Sequence, residues 1–98
     1  MIYNTGFAKD WLENLIEWLR SENDSDMQWT AQTEQLQFCL TEMRQASQPL
    51  PPAYRSMPNP TGKQFSRAIP HVENAMRAMQ QRNREGALEA ATAAVAEL

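Results

Sequence analysis

Residues 7–19 read FAKDWLENLIEWL, and this stretch decides the fold class. Set at 100° steps around a helix with Trp11 at zero, Phe7, Trp18, Trp11, Leu15, Ala8, Leu19, Leu12 and Ile16 fill an unbroken arc of about 180°. Lys9, Asp10, Glu13, Glu17 and Arg20 hold the remainder. That segregation is the pattern of an amphipathic helix. A helix resting on one small core shows an apolar stripe of a little over 100°. The excess, which includes tryptophan, implies a second contact surface, made by another copy of the chain or by a partner protein.

Working outward, the first helix is expected over about 5–22, with Asn4 or Thr5 as its cap. Ser21-Glu-Asn-Asp-Ser-Asp26 is a turn by composition, and Ser25 with Gln28 forms a capping box for a second helix over 26–46. Trp29, Leu36, Leu40 and Met43 make its main stripe, and Met27, Ala31 and Phe38 form a lesser patch nearly opposite. The segment QPLPPAYRSMPNP, residues 48–60, holds five of the six prolines and reads as a connecting loop. Thr61 with Gln64 marks another capping box. From there Phe65, Ile69, Val72, Met76 and Met79 keep phase over a helix expected at 62–84, kinked at Pro70. Gly86 is expected to separate it from an alanine-rich helix over 87–97. No stretch alternates with period two for long enough to be a strand. The reading is all-α: residues 1–98 as one domain, a small four-helix bundle with a Pro-rich loop at 48–60.

Composition supports a folded domain and narrows its chemistry. Apolar residues are 42% and aromatics 8% of 98 residues, enough for one core of a globular chain. No apolar run approaches the roughly 20 residues that span a bilayer. Residues 1–20 carry Asp10, Glu13 and Glu17 and lack a small-residue cleavage site, so no signal peptide is expected. Cys39 is the only cysteine, which excludes an internal disulfide and fits a cytoplasmic protein. The net charge of −3 is uneven: residues 1–50 hold eight acidic and three basic side chains, residues 51–98 four and six.

Catalytic and metal signatures are missing. His71 is the only histidine and has no second strong ligand at helical spacing, so zinc has no set of donors. Asp24 and Asp26 lack the glycine and distal glutamate of a calcium loop. His71 and Cys39 could act together only if the fold joined them. There is no GxSxG, P-loop or GxGxxG. Neither cofactor, metal nor small-molecule substrate is implied, and the chain does not read as an enzyme.

Three binding readings remain. Pro51-Pro52-Ala53-Tyr54 resembles the PPxY ligands of WW domains, in which an extended proline stretch and a tyrosine fill an aromatic groove. Residues 84–98, REGALEAATAAVAEL, resemble the second helix of a tetratricopeptide repeat, but no second copy exists in the chain. Arg67, Arg77, Arg82 and Arg84 lie in the basic segment 55–84 and are the candidate phosphate contacts of a nucleic-acid-associated regulator. The reading that the composition favours is a non-catalytic interaction protein (an adaptor, inhibitor or accessory protein of the sort phages and mobile elements encode) acting as a homodimer or on a protein partner. Its contacts are expected at Trp11, Ile16, Trp18, Trp29 and Phe38, because tryptophan and phenylalanine offer large apolar area with few rotamers to freeze.

Overall fold

Helix α1 spans Thr5–Arg20, α2 Asp26–Ala46, α3 Pro60–Gln80 and α4 Arg84–Ala96. These come from a computed structural model, which describes residues 5–48 and 60–98. Each helix packs on its two neighbours in chain order, α4 closes the ring against α1, and α1 lies diagonal to α3. Cross-links fix the directions. Arg82 pairs with Asp26 and Arg44 with Glu73, so α2 and α3 are antiparallel. Arg67 reaches Glu97, and Arg84 reaches the end of α1, so α4 runs against both of its neighbours. The result is the small four-helix bundle that the sequence implied, and its topology is up-down-up-down.

The core is built from the expected stripes. Leu12, Leu15 and Leu19 of α1 meet Trp29, Leu36, Leu40 and Met43 of α2 and Phe65, Val72, Met76 and Met79 of α3. Burying one such side chain stabilises the fold by about 1.5–3 kcal/mol. α4 contributes Ala87, Ala91 and Ala94, all fully buried, and these small side chains let its backbone lie close to α3.

Helix ends depart from expectation in instructive ways. α1 stops at Arg20, because the Ser21 amide and hydroxyl both donate back to the Trp18 carbonyl at 3.0 and 2.6 Å. Ser25 is the N-cap of α2 in extended conformation, but its side chain makes no capping bond. The Ser25–Gln28 box is therefore not formed. Instead the Ser25 amide donates to Asn23 Oδ1 at 3.1 Å, an Asx turn. α3 begins at Pro60, ahead of the Thr61 expected to cap it. At a helix start the missing proline amide has no bond to lose. α3 also continues unbroken through the exposed Pro70.

The break between α3 and α4 falls at Gln81–Asn83 and not at Gly86, so the expected boundaries of 84 and 87 move to 80 and 84. Arg82 has φ 53°, its amide donates to the Met79 carbonyl at 3.0 Å, and the Asn83 amide donates to Ala78 at 2.8 Å. Those two bonds define a Schellman motif with arginine in the left-handed position that glycine usually takes. Asn83 then caps α4 by accepting the Gly86 amide at 3.1 Å. Gly86 sits inside the first turn, where a Cβ would meet Asn83 Nδ2 at 2.6 Å. Its role is to clear space for the cap.

Candidate interaction surface

Of the two tryptophans nearest the α1–α2 turn, Trp29 is buried and Trp18 half-buried. Trp29 is 3% exposed, which places it in the core and not on an interface. Its Nε1 donates to Asp24 Oδ1 at 2.8 Å. Trp18 meets Trp29 edge-on, with ring centres 5.0 Å apart. Over both indoles lies the Arg84 guanidinium, 5.0 and 5.1 Å from the ring centres. Arg84 Nη1 donates to the carbonyls of Trp18, Leu19 and Ser21 at 3.3, 2.9 and 2.9 Å, and Nη2 to Asn23 at 2.5 Å. One side chain thus satisfies the end of α1 and the following turn while stacking on two indoles. Asp24 lies 3.7 Å from it. Ile16 falls about 160° around α1 from Trp18, so the two belong to opposite edges of the apolar arc and cannot share one contact.

Trp11 and Phe38 behave differently. Phe65 is fully buried, Phe7 packs edge-on to it at 5.7 Å, and Trp11 packs edge-on to Phe7 at 6.2 Å. Phe38 stacks tilted on Trp11 at 5.3 Å and stands 56% exposed. This chain of rings climbs from the core to solvent along the α1–α2 seam. Met27, on the same outer edge of α2, is 77% exposed. Beneath the seam is a cavity of about 10 Å³ lined by Trp11, Leu15, Gln32, Gln35, Leu36 and Cys39, room for about one water molecule. On the other side of α2 an open groove of about 240 Å³ runs between Trp29, Thr30, Thr33, Glu34, Met79, Gln80 and Arg82.

The arginines flagged as phosphate contacts are mostly engaged in the chain. Arg84 is held as described, Arg82 pairs with Asp26, and Arg67 with Glu97. Arg77 alone among the four is exposed without an ion pair among the described residues. Cys39 is buried and its thiol donates to Met43 Sδ at 3.8 Å. Burial, with a smaller contribution from the Glu42 charge, pushes its pKa up to about 12, so the thiolate needed for nucleophilic chemistry does not form near neutral pH. Among the described residues no three His, Cys, Asp or Glu side chains could hold a metal ion, and no helix is long and apolar enough to cross a membrane. Pro51, Pro52 and Tyr54 lie outside the described residues. No family model, curated protein or solved structure matches this chain.

Sequence reasoning underrated two features. Met27 belongs with Phe38, a pairing visible in the spacing of the lesser α2 patch but overshadowed by the main stripe. The role of Arg84 left no sequence signal, because its carbonyl partners are more than 60 residues away.

Proposed function

We propose that this protein is a non-catalytic interaction module whose contact surface is the outer face of α1 and α2, centred on Phe38 with Trp11 and Met27. The observation that carries the reading is the exposure of Phe38 while it stacks on Trp11. An exposed aromatic continuous with the core is held in place before binding, so little entropy is lost when a partner covers it. The weak amphipathicity of α2 has the same origin, since it carries apolar residues toward the core and toward solvent. Self-association through this face and docking of a different protein are both forms of the reading.

A nucleic-acid role through the basic segment has less support, because three of the four candidate arginines, Arg67, Arg82 and Arg84, already satisfy carboxylates or carbonyls of the chain. The discriminating experiment places a photo-crosslinking amino acid at position 38 or, on the exposed face of α3, at position 77, in the cells that make the protein. A discrete adduct from position 38 and none from position 77 is the expected result. Adducts at both positions alike, or at neither, would remove the assignment of the surface.

A further inference from the structure

The geometry points to a cationic amphipathic helix of another protein as the occupant of the α1–α2 face, an inference that rests on the interaction surface proposed above. Met27, Ala31, Glu34 and Phe38 recur at intervals of four, three and four residues along one edge of α2. Glu34 and Glu42 stand one turn to either side of Phe38. On α1, turning from Trp11 away from the core brings Asn14, Asp10 and Glu17 into view within about 120°. Asp10, Glu17 and Glu34 are exposed and Glu42 half-buried, and none of the four has an ion-pair partner among the described residues.

Among the described residues, cations are kept off this face. Lys9 and Arg20 lie on the far side of α1, about 160° and 180° from Trp11. Arg44 is turned to Glu73 on α3, and Arg84 to the carbonyls that end α1. The face is therefore an apolar strip edged by carboxylates that the fold leaves without counter-charges. A second copy of the chain is a poor occupant. Laying α2 antiparallel on itself with Phe38 over the opposing Met27 brings the two Glu34 carboxylates within about one helical turn of each other. The basic helix of a second copy, α3, presents Lys63, Ser66, Arg67, Pro70, Asn74 and Arg77 to solvent, with no large apolar side chain to meet Phe38.

What fits is a segment with apolar anchors on one side and Lys or Arg along both margins. Met27 and Phe38 are eleven residues apart, about 16 Å along α2, which a helix of some three turns matches with anchors at i, i+4, i+7 and i+11. The cations of the segment would then reach Glu34 and Glu42 along α2 and Asp10 and Glu17 along α1.

The test uses a 14-residue peptide with Leu at those anchor positions and Lys elsewhere, beside a Glu-for-Lys counterpart, titrated into the isotope-labelled full chain. The Lys peptide is expected to shift amides around Trp11, Met27 and Phe38. Its affinity should fall at least tenfold in Phe38→Ala and in the Glu34→Lys/Glu42→Lys variant, with the thermal melt of each confirming that it folds. The Glu counterpart should not bind. Shifts on another surface, or affinity unchanged by Phe38→Ala, would overturn the inference. So would a wild-type dimer, seen by sedimentation equilibrium without peptide, that Phe38→Ala dissociates; that result returns the face to a second copy and leaves the interaction surface standing. A discrete crosslink at position 38 with no peptide binding would likewise sink the cationic helix alone.

Discussion

The guanidinium of Arg84 lies 5.0 Å from the ring centre of Trp18 and donates to the Trp18 carbonyl. The first residue of α4 is thereby the lid on the last turn of α1. Four carbonyls and two indole faces depend on it. Arg84→Ala is expected to cost about 2–3 kcal/mol, from charge-assisted hydrogen bonds and cation–π contact partly shielded from water. Arg84→Lys keeps the charge but loses the planar fork, so it should recover less than half of that loss. Urea unfolding followed by far-UV circular dichroism measures both.

The two stacked indoles differ in one respect that mutation can expose. Trp29 Nε1 has Asp24 as its acceptor, whereas Trp18 Nε1 is buried with no hydrogen-bond partner. Trp29→Phe removes a made charge-assisted bond, although water can replace the indole at the exposed Asp24 carboxylate. Trp18→Phe removes a donor that was already costing roughly 1–3 kcal/mol. Trp29→Phe should therefore be the more destabilising, by about 1 kcal/mol or more. Equal losses in urea unfolding would show that the Trp18 amine finds water in solution.

The apolar spacing made the bundle legible. Phe7 to Leu19, and Phe65 to Met79 across Pro70, repeat at helical period; eight of those thirteen side chains are in the core and the other five pack half-buried against it. The surplus on α1 was also legible, but not its destination. Trp18 is covered by Arg84, a contact between residues 66 apart, and no local pattern encodes a long-range stacking partner. Phe38 could be read only as the lesser side of a two-faced helix. The misplaced boundary at Gly86 has a plain cause: glycine marks ends by its backbone freedom, but here it is required for the absence of a side chain.

That role makes Gly86 a test of the cap. In an ordinary helix Gly→Ala gains up to about 1 kcal/mol. At Gly86 the added Cβ would meet Asn83 Nδ2 at 2.6 Å, displacing the side chain that accepts the Gly86 amide. Gly86→Ala alone should be neutral or destabilising. Asn83→Ala should cost about 1 kcal/mol. In the Asn83→Ala background the same Gly86→Ala change should become stabilising, so the double-mutant cycle is expected to show a coupling of about 1 kcal/mol.

Arg82 offers the converse. Its φ of 53° lies where a side chain strains the backbone and glycine does not. Its pair with Asp26 joins two exposed side chains, and such pairs contribute between zero and about 1 kcal/mol. Arg82→Gly should leave stability unchanged or raise it by up to about 1 kcal/mol, whereas Arg82→Ala, which drops the pair and keeps the strain, should lower it. Thermal melts of the two variants separate backbone strain from the ion pair.

Cys39 sets an alkaline limit on the fold. Its thiol is raised from 9.0 to about 12 by burial first and by the Glu42 charge second. Above pH 9 the unfolded chain releases the thiol proton and the folded chain keeps it, so the unfolded state binds fewer protons and stability falls as pH rises. The contribution is fully present below pH 9 and is lost between 9 and about 12, at up to about 1.4 kcal/mol per pH unit. The wild-type curve alone does not isolate the thiol. Cys39→Ala does: it should be less stable at pH 7, because it enlarges the cavity under Trp11, yet its unfolding free energy should decline less steeply from pH 9 to 11. Parallel alkaline limbs for the two proteins would mean that Cys39 ionises as easily in the fold as outside it, and that the seam beneath Trp11 admits water.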